Sequence, residues 1–151
     1  MDSLASTTIF DSLQRLIYIT DSYMKLPIEH GFNWSECFAS IESGEWYLVV
    51  FRSRHRHNAD KTLLNEYDAK AYIEARSAPG FLYYFMGTPA EAGECMSFCL
   101  WESQQLAQLA AKQADHQAAQ SIAGQMYDWF SLERYKVRKV DGVSDLVFER
   151  L

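Results

Sequence analysis

The chain has 151 residues, of which 48% are hydrophobic and 23% charged, a balance that suits one packed domain and excludes a disordered segment. A formal net charge of −6 argues against a nucleic-acid footprint, and no apolar run approaches the ~20 residues of a membrane span. Aromatic residues reach 15%, an excess that must fill a core, an interface or a pocket.

The opening stretch MDSLASTTIFDSLQR lacks the charged-then-apolar order of a secretory leader. Cys37, Cys95 and Cys99 are odd in number and not spaced like metal ligands, so reduced thiols in a cytoplasmic protein are expected. Residues 1–7 read as loose chain. From Thr8 to Met24 the apolar positions Ile9, Phe10, Leu13, Leu16 and Ile17 predict a helical stripe, although Ile17-Tyr18-Ile19-Thr20 is a poor helix former. Lys25 to Gly44 reads as connection, with a short helix after Asn33.

Glu45 to Arg56 predicts a strand, apolar on both faces through YLVVF. Asn58 or Asp60 then caps a helix to about Ser77, with Leu63, Leu64, Tyr67, Ala71 and Ala75 inward. Ser77-Ala78-Pro79-Gly80 stops it. Phe81–Met86 and Cys95–Trp101 read as strands joined by a hairpin loop. Ser103 caps a helix, and Asp115 a second one carrying Ala119, Ile122, Ala123, Met126 and Phe130 on one stripe. Leu132–Val140 reads as the fourth strand, Asp141-Gly142 as a turn, and Asp145–Leu151 as a short edge strand. Cys95 and Cys99 lie on one strand face about 13 Å apart at ~3.3 Å per residue, beyond the ~7 Å a disulfide spans, so both are expected free.

This order, β-α-β-β-α-β, is the ferredoxin-like α+β fold: one antiparallel sheet with helices on one face. Residues 1–43 form an N-terminal extension, and residues 44–151 the domain. Leu48 and Val50 face one side of the first strand, Val49 and Phe51 the other. Two or three helices cover only one of these faces, which predicts a homodimer packed sheet against sheet.

From about Gly44 to Val140 the chain resembles the dimeric α+β barrel proteins, in particular the antibiotic biosynthesis monooxygenase-like group. Pro79-Gly80-Phe81 opening strand two, Trp101-Glu102-Ser103 closing strand three into a helix, and His116 fifteen positions later carry the resemblance. EWYLVVFRSR, PGFLYYF and SFCLWES look closer still to an uncharacterised branch found in fungi and bacteria. That group includes cofactor-free oxygenases of polyketides, haem-degrading enzymes, isomerases and proteins of no known activity.

The resemblance puts the strand face of Cys95, Ser97, Cys99 and Trp101 under the helices, lining a pocket. There Trp101 would stack on a flat substrate, or else be a core tryptophan. His116, starting a helix, should be neutral near pH 7 and able to accept a proton. Its plain alternative is a buried histidine hydrogen-bonded to backbone. Arg52, on an apolar strand face, could hold a substrate anion or sit in a salt bridge. His55 and His57 form a His-x-His pair, but neighbouring arginines repel a cation and no third ligand lies near, so no metal is expected. Tyr83 and Tyr84 point to opposite faces; one should enter the pocket and donate to an oxyanion.

The resemblance therefore implies a cofactor-independent oxygenase or isomerase acting on a phenolic or polyketide-like natural product. His116 would be the base, Arg52 and Tyr83 would stabilise the anion, and Trp101, Cys99, Ser97, Tyr67 and Tyr84 would contact a small aromatic substrate. The alternatives are a haem-binding or haem-degrading protein with His116 as axial ligand, and a non-enzymatic dimer whose pocket is filled by its own side chains.

Overall fold

A computed structural model of the chain describes residues 9–151; the expectation for residues 1–7 lies outside them. Five strands form one antiparallel sheet: β1 Gly44–His55, β2 Phe81–Met86, β3 Glu94–Trp101, β4 Tyr127–Lys139 and β5 Val147–Arg150. Their spatial order is β2-β3-β1-β4-β5. Helices α2 Lys61–Arg76, α3 Gln104–Ala111, α4 Ala114–Ser121 and the short α5 Ala123–Met126 connect the strands, and α1 Trp34–Cys37 precedes them. This is the ferredoxin-like α+β fold. The Asp60 carboxylate accepts from the Leu63 amide at 3.0 Å and opens α2, and the Ser103 hydroxyl does the same for α3 through Leu106 at 3.2 Å. Gly80, at φ +86°, turns the chain from α2 into β2, a backbone setting that glycine adopts without strain.

Three expected elements differ. The first helix ends at residue 13, not at Met24. The β-branched run that follows is extended instead and bridges Tyr18 to Phe32. The stripe from Asp115 breaks at Ile122, and Phe130 lies in β4 rather than on a helix. β4 therefore begins at Tyr127, where an aromatic cluster favours extended chain.

The larger correction concerns the second sheet face. Leu48, Val50, Met96, Phe98 and Leu100 point there, each no more than 1% exposed. What covers them is the chain itself: Ile9, Leu13, Leu16, Tyr23, Ile28, Phe32, Trp34, Phe38 and Ile41 share one core with these strand residues. No second copy is therefore needed to cover this face. Phe32 sits edge-on to Tyr23, Phe85 and Phe98 at centroid distances of 5.1–5.6 Å, a favoured aromatic geometry. The Trp34 indole N–H donates to the Ile28 carbonyl at 2.9 Å. Asn33 clips the segment together, its amide donating to the Arg15 carbonyl and its Oδ1 accepting from the Ile17 amide.

Candidate functional site

The helix-facing side of the sheet is packed differently along its length. At one end Tyr47, Trp101, Ala78, Ala107 and Ala110 make a small closed cluster. At the other end the side chains leave a cavity of about 80 Å³, roughly half the ~150 Å³ of an apolar cavity that accepts benzene. Strand β1 supplies Phe51, Ser53 and His55 to its wall, α2 supplies Leu64, Asn65 and Asp68, and the β2–β3 hairpin supplies Tyr84, Met86, Cys95 and Ser97. Tyr127, the first residue of β4, closes one flank.

Asp68 is the group that does not belong to an ordinary core. It lies one helical turn beyond the buried Leu64, so it occupies the inward stripe of α2. It makes no hydrogen bond or ion pair with another described residue, and burial pushes its carboxyl up to about 6. Two phenols answer it. Burial first, and then the Asp68 charge, hold Tyr84 and Tyr127 well above the ordinary tyrosine range, so both remain protonated donors. Tyr84 also engages the Ser97 side chain. His55 packs its ring on Tyr127 at 5.3 Å. Burial, with Lys61 adding to it, lowers its pKa and favours the neutral imidazole. The Cys95 thiol reaches the Gly87 carbonyl at 3.4 Å and is raised by burial, so it is no ready nucleophile.

The residues expected from the sequence do not converge. Tyr84 and Ser97 line the cavity, and Tyr67 packs beside it with Leu64. Cys99 and Trp101 share the strand face but stand in the closed cluster. The Trp101 indole donates to the Cys99 sulfur at 3.1 Å, and burial lifts that thiol to about 11. The cysteines are free, as the spacing requires.

Arg52 and Tyr83 are on the other face. Arg52 Nε pairs with Glu133 at 2.7 Å, while Nη1 and Nη2 donate to the Met24 and Leu26 carbonyls at 2.7 and 2.8 Å. All three of its nitrogens are engaged, by Glu133 and by the N-terminal segment, on the face away from the cavity. Tyr83 packs against the Phe98 core, because Tyr83 pairs with Leu100, whereas Tyr84 pairs with Cys99 on the cavity side.

His116 lies in α4, apart from the cavity wall. Its amide and that of Asp115 both donate to the Glu74 carboxylate at 3.0 Å, so α2 caps α4. Burial lowers the His116 pKa, with Glu74 opposing; the expected direction is present, but burial is its cause. A haem would need a cavity reaching both Trp101 and His116, and neither lines this one.

Asp68 was readable in principle as an acid on an apolar helical stripe. Tyr127 was not, because its stretch scans as helix.

A family profile described as PB2B2.08-like matches residues 2–150. Among curated proteins nothing matches. Several solved structures share the fold. Rv0793 from Mycobacterium tuberculosis aligns with a TM-score of 0.52 at 18% identity, over 59% of this chain and 91% of its own. A protein from Nitrosomonas europaea, provisionally named an antibiotic biosynthesis monooxygenase, gives 0.51 at 10% identity, over 66% and 92%. One from Chloroflexus aurantiacus with the same provisional name gives 0.50 at 17%, over 65% and 96%. The fold is thus that of the antibiotic biosynthesis monooxygenase-like proteins, and the three alignments cover 59%, 66% and 65% of this chain and leave the rest without a counterpart. No helix among the described residues is long and apolar enough to cross a membrane.

Proposed function

The chain belongs to the PB2B2.08-like family, and from the geometry of its cavity we propose that it is a small-molecule enzyme working by proton transfer without a cofactor. The observation that carries this reading is Asp68: a half-buried carboxyl without a hydrogen-bond or ion-pair partner among the described residues, raised to about 6, facing two phenols that burial keeps protonated. That is the pairing of a base with oxyanion donors. Asp68 takes a proton from an acidic O–H or C–H of the substrate. Tyr84 and Tyr127 then donate to the oxygen where negative charge gathers. The resulting anion either rearranges, as in an isomerase or cyclase, or adds dioxygen and loses water to leave a carbonyl, as in an oxygenase. The likeness in fold to proteins provisionally named antibiotic biosynthesis monooxygenases supports a phenolic natural product as the substrate class. Because the cavity holds only about 80 Å³, a polycyclic substrate inserts one ring edge and leaves the rest outside.

The test is a panel of monocyclic phenols and β-dicarbonyls, followed by deuterium exchange at the acidic position and by oxygen uptake. We expect Asp68→Asn to lower either rate by about 100-fold, the lower end of the range for a general base, and the wild-type rate to rise with pH through about 6 as the carboxylate forms. His116→Ala should leave the rate nearly unchanged. Loss of rate in His116→Ala with retention in Asp68→Asn would move the base to α4 and end this assignment. Absence of exchange and oxygen uptake across the panel would favour the non-enzymatic reading.

A further inference from the structure

A second cavity lies at the far end of β4. Residues 39–42, which lead into β1, and the turn 141–144, which follows β4, wall a cleft of about 300 Å³, at the lower end of the size range of small-molecule sites. Lys139, the last residue of β4, lines it as well. Lys139 shares the strand parity of Val137, a member of the N-terminal core, so its side chain lies on the extension side of the sheet. The cleft and the Asp68 cavity are therefore on opposite faces.

Lys139 is buried in a way that lysine seldom is without a counter-charge. Only 7% of it is exposed, too little for a stem lying beneath a fully hydrated ammonium. The ammonium has three donors. The fold engages one, with the Val140 carbonyl at 3.3 Å, and that carbonyl already accepts from the Val143 amide at 3.0 Å. None of the ion pairs among the described residues includes Lys139. A cation drawn out of water without a counter-ion is costly, and an anion entering the cleft offsets that cost.

The rest of the lining selects the anion. Glu42 and Asp141 are exposed lining residues and stand toward solvent, outside ion-pair reach of Lys139. A phosphate would meet two carboxylates on its way to one ammonium. A zwitterion satisfies all three charges, its carboxylate on Lys139 and its ammonium near Glu42 and Asp141. Ile41 and Val143 add an apolar wall. We infer that this cleft binds a free amino acid with a short apolar side chain, held at its carboxylate by Lys139, at its ammonium by the two acids and along its side chain by Ile41 and Val143. The inference does not depend on the proposed chemistry.

Titration calorimetry with L-valine should show one site with a dissociation constant of about 1 mM or tighter. N-acetyl-L-valine keeps the carboxylate, lacks the ammonium and imitates the end of a peptide; it should bind about 5-fold more weakly or worse, the scale of losing exposed ion pairs. Lys139→Met keeps the apolar stem and should weaken valine binding by about 30-fold or more, as truncating one partner of a buried charge pair does. Ser144→Trp, at an exposed turn position, should fill the cleft and abolish binding with an unchanged melting temperature, and it tests the site even where the lysine variant fails to fold. Absence of binding by L-alanine, L-valine and L-leucine up to about 50 mM, well above the expected constant, overturns the inference. So does binding that Lys139→Met or Ser144→Trp leaves intact. N-acetyl-L-valine or inorganic phosphate binding as tightly as L-valine would mark a site for a bare anion or a chain end, and overturns it likewise.

Discussion

The two faces of one sheet are built to opposite rules. On one face residues 9–41 lay interlocked aromatic rings over Leu48, Val50 and Phe98, and those three side chains are at most 1% exposed. On the other face, the helices cover the sheet and leave a cavity at one end, lined by a carboxyl and two phenols. Adjacent residues on a strand alternate between these environments. Burial is thus concentrated on the face away from the cavity, while the opposite face keeps an acid with no hydrogen-bond or ion-pair partner among the described residues. The extension takes the place on the sheet where sequence reasoning expected a second subunit.

Substituting neighbours on β3 exposes this asymmetry most directly. Phe98→Ala removes a ring at the centre of the N-terminal core, 1% exposed and stacked on Phe85 at 5.2 Å. We expect a loss of about 3–5 kcal/mol, the usual cost of such a truncation. Ser97→Ala, one residue away on the cavity side, should cost less than about 1 kcal/mol while weakening the hold on Tyr84. Chemical denaturation of the two variants tests this; comparable losses would mean that the faces share the load.

Arg52→Met comes next. It leaves the Met24 and Leu26 carbonyls and the Glu133 carboxylate without their donor, at a cost of about 2–3 kcal/mol for hydrogen bonds to a charged group. Burial raises the Glu133 pKa, but hydrogen bonds from Tyr135 and Arg52 outweigh it and hold the pKa below the ordinary value. A carboxylate with a depressed folded pKa contributes stability that is present above about pH 4.3 and is lost as pH falls through the folded value. The gap in melting temperature between wild type and Arg52→Met should therefore be widest near pH 7 and shrink below about pH 4. A gap independent of pH would mean that the carbonyl contacts alone hold the segment.

Much of this fold could be read from the residues. The apolar run YLVVF, the caps Asp60 and Ser103, the stop at Pro79-Gly80 and the hairpin after Met86 act locally, and local rules describe them. What could not be read was tertiary. Nothing in GFNWSECF says which surface its rings will cover, so the uncovered sheet face was assigned to a partner chain. Arg52 was legible as an arginine needing a partner but not as a clamp, since Met24 and Leu26 reach it only after the segment folds back. The site was half legible. Tyr84 and Ser97 follow from strand parity. Tyr127 was lost because its surroundings carry helical periodicity, and Asp68 because an acid on a helix is normally a solvated one.

A smaller effect, with its sign reversed, is expected at Asp68. Its folded pKa, about 6, lies above that of an unfolded aspartate. The protonated form is thus favoured in the fold, and stability falls as pH rises from about 4 through 6. Asn, which cannot ionise, escapes that cost. With solvent screening allowed for, Asp68→Asn should stabilise the protein by about 1 kcal/mol at pH 8 and by little at pH 4. A variant that melts higher at pH 8 yet turns over more slowly is the signature of a residue kept for function. A variant less stable at both pH values would show that Asp68 is held by contacts within the fold.

The smallest effect should come from His116, and it decides whether the site extends into α4. The ring is half-buried, while the Glu74 contact is made by the backbone amide, which survives any side-chain change. His116→Ala should therefore cost under about 1 kcal/mol at pH 8, where the wild-type ring is neutral. Burial lowers the folded pKa against the pull of Glu74, so protonation is less favourable in the fold than in the unfolded chain. Wild-type stability should then fall as pH drops below about 6.5, and the small deficit of the alanine variant should close or reverse by about pH 5.5. An NMR titration of the imidazole protons checks the premise directly, with a midpoint below that of a free histidine expected. A midpoint above it would mean that Glu74 outweighs burial. The ring would then be an imidazolium at the start of α4 at mildly acidic pH, paired to Glu74, and His116→Ala would lose more stability in acid instead of regaining it.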